Sequence, residues 1–115
     1  VLVDSNNSKV IFCHHNPLPI NGYLDKHLLE NGPQLLNILV NSNNVSALFH
    51  GHVHNDYEQN FRGLPIYASP ASSVQFVKYT PKWEQKNAGP AYRMLNIKSK
   101  KDKVEVKTEV VWLSA

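Results

Sequence analysis

Two short apolar runs, residues 9–13 and 45–49, each lead straight into histidines, and a single clear helix-patterned segment lies between them. This arrangement constrains the fold more than any other feature of the chain. Lys9-Val10-Ile11-Phe12-Cys13 is rich in β-formers and continuously apolar rather than alternating, which predicts a buried, central, parallel strand. Pro17 and Pro19 stop it, so His14 and His15 fall where strand gives way to loop. Residues 24–30 have the composition of a short helical turn. The clearer helix follows, with Gly32 as N-cap, Pro33 in the first helical position, and Leu35, Leu36, Leu39 and Val40 along one face. The second run then leads into His50-Gly51-His52-Val53-His54. Strand, loop, helix and strand make a β-α-β unit, whose two strands run parallel.

Beyond it the pattern changes. Residues 57–61 and 64–68 flank Arg62-Gly63 as a hairpin, and residues 74–79 are a further candidate strand. Residues 81–90 form a polar loop around Trp83. Residues 92–97 and 104–113 pair across a turn at 99–103, with Val104, Val106, Val110 and Trp112 on one buried face. The reading is one α/β domain over residues 1–115, parallel early and antiparallel late. A chain of 115 residues has room for a modest core, and 42% hydrophobic against 18% charged residues excludes a disordered tail. The formal charge of +3 is mild. Much of the basic excess lies in Lys98, Lys100, Lys101 and Lys103, at a turn, which reads as a solvated loop and not as a nucleic-acid surface. Cys13 is the only cysteine, so no internal disulfide forms and a reducing, cytoplasmic setting suits the chain. No stretch approaches the ~20 apolar residues of a membrane span, so no membrane partner is expected. The chain begins at Val1, and residues 1–3 read as the apolar end of something longer.

Six histidines occur, five of them as His14 and His15 and as His50, His52 and His54. Both groups follow strands of the same proposed sheet, and open α/β sheets collect their ligands outside the carboxyl ends of their strands. Imidazole is the commonest neutral ligand of divalent transition metals. In extended backbone His52 and His54 would share a face, whereas a tight turn at Gly51 would aim them at two different ions. A single histidine more often decorates a loop; His27 is read that way, His50 as a cap on its strand, and Cys13 as core. Converging pairs favour a metal site. Carboxylates are scarce, however, with Asp56 the nearest, and a pair of divalent ions usually needs a bridging one. No glycine-rich phosphate loop is present, and spacing supports no Ser-His-Asp arrangement.

Residues 10–19, VIFCHHNPLP, followed by residues 47–54, ALFHGHVH, resemble the last two signature blocks of the calcineurin-like metallophosphoesterases. The closer similarity is to the Icc/CpdA group, the class III cyclic nucleotide phosphodiesterases. Glu30-Asn31-Gly32 and residues 68–76, ASPASSVQF, look like that group as well. The resemblance implies the carboxyl-terminal half of a four-layer α-β-β-α sandwich with a two-metal site at the strand ends. By this resemblance His15 and His52 would bind one ion and His54 the other. His14, Asn16, Asn31 and Gly51 would stand beside the ions or on the substrate side. The family's Asp-x-His pair, bridging Asp and Asn-His pair are not found here and would precede Val1. The implied cofactor is a pair of divalent manganese, iron or zinc ions, of which this portion alone would hold one or none. The implied partner is a small-molecule substrate. A longer parent would hydrolyse 3′,5′-cyclic AMP or a related cyclic nucleotide through in-line attack by metal-bound hydroxide, and the 115 residues alone would be inactive. The open alternatives are another phosphoester substrate (a 2′,3′-cyclic nucleotide, a glycerophosphodiester or a phosphomonoester) and a non-enzymatic module with one structural ion. An uncovered sheet face and edge would drive self-association, as in a dimer.

Overall fold

The computed structural model describes residues 7–100 and 103–113; the expected apolar start at 1–3 and the centre of the 99–103 turn lie outside them. Strand β1 (Lys9–Cys13), a 3-10 turn (Tyr23–His27), helix α1 (Gly32–Asn41) and β2 (Val45–His50) form the expected β-α-β unit, with β1 and β2 parallel. Strands β3 (Tyr57–Phe61) and β4 (Leu64–Ala68) form the hairpin, turned by Arg62 and Gly63 at φ 50° and 89°. Strand β4 also pairs parallel with β2, giving a mixed sheet of order β1-β2-β4-β3.

Alternation sorts this sheet into two faces. Leu48, Leu64 and Ile66 pack on Leu36 and Leu39 of α1 with Ile11 alongside, forming the main core. On the opposite face Phe12, Phe49 and Tyr67 stack in a row across three strands, with ring centroids 5.5 and 5.1 Å apart. Strands β7 (Ala91–Lys100) and β8 (Lys103–Trp112) form an antiparallel ribbon that reaches this second face, where the Arg93 guanidinium lies 5.0 Å over the Tyr67 ring. The described residues are thus α/β, with a helix on one side of a mixed sheet and a ribbon against the other.

Four expectations change. Strand β1 is an edge of the sheet among the described residues, not central, and Phe12 is 66% exposed. An unbroken apolar run signals burial on both faces, but here its outward side is left largely uncovered. The N-cap is Asn31, and Gly32 opens the helix proper. A Cβ at Gly32 would stand 2.4 Å from the Pro17 carbonyl oxygen, so glycine is required where the helix crosses the proline loop. Only Gln75–Phe76 of the 74–79 segment is strand (β5), paired with Gln85–Lys86 (β6) inside the supposed loop. Finally, the expected buried face of the last strand is only partly covered, with Val104, Val106 and Val110 half-buried and Trp112 exposed, because among the described residues the two-stranded ribbon has no second layer along its whole length.

Candidate metal centre

The ladder between β1 and β2 carries both histidine groups to one edge. Cys13 stands opposite His50, and beyond the strand ends the Gly51 N–H donates to the His14 carbonyl at 3.2 Å. The Cys13 thiol donates to the His15 carbonyl at 3.4 Å, and burial pushes its pKa up, which keeps it a neutral donor. The imidazoles of His14, His15 and His52 meet there: ring centroids are 4.4 Å apart for His15 and His52, 5.2 Å for His14 and His52, and 5.0 Å for His14 and His15.

The turn that separates His52 from His54 is made by the histidines themselves. Both occupy left-handed backbone, at φ 70° and 46°, whereas Gly51 is outside that region. The expectation that Gly51 supplies the turn is therefore corrected. Histidine tolerates left-handed backbone better than most side chains, but at a cost in strain. Val53 between them is 1% exposed and packs with Ile20, Leu24, Tyr57 and Ala68. Burying the middle residue of His-x-His anchors the loop, with both flanking histidines in left-handed backbone and lining one groove.

His54 is held from strand β5. Its ring stacks on Phe76 at 4.2 Å and 3°. Its carbonyl accepts from the Phe76 N–H at 2.9 Å, and the neighbouring Asn55 amide donates to the Phe76 carbonyl at 2.7 Å. His54 Nδ1 lies 2.8 Å from the Val74 carbonyl oxygen, which can only accept. Nδ1 thus carries a proton, which in the neutral ring leaves Nε2 as the ligating nitrogen. Gln75 is buried and bridges Ala71 and Gly89 through three hydrogen bonds of 2.7–3.0 Å, which steadies this strand.

His52 Nε2 is shielded from solvent and has no hydrogen-bond partner. Burial first, then the neighbouring His15, His14, His27 and His54, pull its pKa down to about 4, so the ring is neutral and able to donate a lone pair. Buried polar atoms are seldom left unpaired without a functional reason. These donors fit imidazole ligation of a transition metal. They do not close a site by themselves: among the described residues no group of three His, Cys, Asp or Glu side chains is placed to hold an ion.

The nearest carboxylate is committed elsewhere, since Asp56 accepts from Arg93 Nη2 at 2.7 Å. His50, 4% exposed, ends β2; its Nδ1 donates to the Gly51 carbonyl at 2.9 Å and burial lowers its pKa. Asn16 is buried beneath the first loop, where its amide donates to the Leu18 carbonyl at 2.9 Å and its Oδ1 is unpaired. Asn31 is exposed at the start of α1. Sequence reasoning passed over His27, which joins His52 and His54 on the wall of a groove of about 490 Å³ with Tyr23, Phe76 and Trp83. Nothing in its spacing marks it, because the 3-10 turn that presents it has no sequence period to read.

No protein-family profile matches the chain. A probable cyclic nucleotide phosphodiesterase of Pseudoalteromonas sp. (strain SM9913) is 66% identical over 113 residues, covering 98% of this chain and 43% of that protein. The 3′,5′-cyclic adenosine monophosphate phosphodiesterase CpdA of Haemophilus influenzae is 30% identical over 91 residues, covering 78% of this chain and 33% of that protein. Its namesake in Escherichia coli (strain K12) is 29% identical over 89 residues, covering 76% and 32%. The chain is similar in sequence to these proteins over 76–98% of its own length. It spans less than half the length of these relatives, and the segment shared with the Pseudoalteromonas protein takes in both histidine groups. No helix among the described residues is long and apolar enough to cross a membrane.

Proposed function

We propose that this chain supplies the imidazole side of a two-metal phosphodiesterase site, with a cyclic nucleotide such as 3′,5′-cyclic AMP as substrate. The observation that carries the reading is the pair His52 and His54, both in left-handed backbone on one groove, with His52 Nε2 buried and unpartnered and His54 Nδ1 held by the Val74 carbonyl. His15 and His52 would face one ion and His54 the second. The ions, manganese, iron or zinc, would supply Lewis acidity toward a phosphate and its attacking water. The chain's own residues orient that chemistry. The Val74 carbonyl fixes the His54 tautomer, Phe76 fixes its ring plane, and the Gly51–His14 hydrogen bond keeps the two histidine loops in register. In this reading the remaining ligands, a bridging carboxylate among them, come from residues other than those described, and the assembled domain is the four-layer sandwich. The names of the relatives support the substrate class, and the 115 residues alone are then inactive.

The test is metal content, read by elemental analysis of the purified chain and of a His52→Ala/His54→Ala variant, together with hydrolysis assays. The reading expects any bound transition metal to be lost in the variant. It also expects cyclic nucleotide hydrolysis only when the site is completed by further ligands. Metal retained in the variant, or enzyme-like turnover by both proteins, would overturn it.

A further inference from the structure

We propose that the aromatic groove beside His52 and His54 seats the nucleobase of the substrate, with the Trp83 indole as its stacking face. The inference rests on the phosphodiesterase reading above and adds to it how the organic part of the substrate is held. The groove, about 490 Å³, is lined by both histidines together with Tyr23, His27, Phe76 and Trp83. That volume lies in the range of small-molecule sites. A phosphate at the histidines would therefore have its sugar and base directed along aromatic walls.

The walls are not equivalent. Phe76 is already used, lying flat on His54 at 4.2 Å. Trp83 meets Phe76 edge-on, with centroids 5.7 Å apart at 66°, and remains 50% exposed. Its placement is built rather than incidental. The β5–β6 ladder and a hydrogen bond from the Val77 N–H to the Glu84 carbonyl (2.8 Å) close the hairpin that carries it. A large ring held firmly with an open face is a platform on which any base can stack. His27, exposed on the same wall, adds a nitrogen for the polar edge of a base, and Tyr23 flanks it at 6.3 Å between ring centroids.

The experiment is a heteronuclear NMR titration of the chain with Zn²⁺ present, using adenosine 5′-monophosphate and, separately, ribose 5-phosphate. A Trp112→Phe background leaves Trp83 as the only indole. Expected is that both ligands move His52 and His54, that only the nucleotide moves Trp83, Tyr23 and His27, and that it binds about tenfold tighter. Trp83→Ala should abolish that advantage without weakening ribose 5-phosphate, and Trp83→Phe should retain most of it. Equal binding of the two ligands with Trp83 unmoved would overturn the base site and leave the phosphate reading standing. No response of Trp83, Tyr23 and His27 to the nucleotide would likewise overturn the base site, whether or not His52 and His54 respond.

Discussion

The left-handed φ of His52 and the buried, unpaired Nε2 on the same side chain both cost stability in the free chain. His52→Gly removes both at once. It is expected to raise unfolding stability by about 1–2 kcal/mol in urea titrations while abolishing metal binding, the signature of a residue kept for function. Tyr57 gives a second test at this scale. Burial, then Tyr79 and Asp25, push its phenol up to about 12. Its contribution is complete below the unfolded-chain value of about 10 and is lost as pH rises from there toward 12, a loss of about 1–2 kcal/mol after solvent screening. Tyr57→Phe should flatten the alkaline limb of the stability profile. Residue identity was readable here and residue geometry was not. Histidines two apart announce metal chemistry. The sequence suggested Gly51 as the flexible point, because glycine's freedom is intrinsic, whereas the left-handed backbone falls at His52 and His54, on either side of the buried Val53.

At the scale of elements, the β-α-β unit and the 57–68 hairpin were legible because both carry local signals: helical spacing of leucines, and an Arg-Gly turn between alternating runs. The pairing of β2 with β4, the edge position of β1 and the shortness of β5 were not, since each depends on a partner distant in sequence. Two element contacts are testable. Gly32→Ala places a methyl 2.4 Å from the Pro17 carbonyl oxygen. The overlap should cost about 1–3 kcal/mol in chemical denaturation and shift the NMR resonances of the His14–His15 loop. Arg93 fastens the ribbon to the sheet, bonding Asp56 at 2.7 Å and the Ala68 carbonyl at 3.0 Å with a side chain only 3% exposed. Asp56→Ala strands that charge and should cost about 3 kcal/mol or more, with amide exchange accelerating first in β7 and β8.

The whole molecule is extended, with a radius of gyration of 15.0 Å against ~13 Å for a compact domain of similar length. The long ribbon and the thin layering account for the difference, and among the described residues Phe12 is exposed and β1 is a sheet edge. A sheet-edge strand that presents an exposed aromatic ring favours pairing between copies. Light scattering should therefore show a mass that grows with concentration, and Phe12→Lys should return it toward the monomer. The α/β class was legible in the sequence, because it follows from periodicity. The degree of compactness was not, because it depends on which faces find a covering layer.

The clamp on His54 has one more consequence. Val74, Gln75 and Phe76 follow the histidine by about twenty residues, and Gln75 in turn is anchored to Gly89. On a ribosome the GHVH stretch emerges well before the segment that gives it shape. A nick anywhere between residues 69 and 74 would leave every histidine spelled out in the peptide map. The motif would still be recognised, and it would have lost the strand that holds His54 in place.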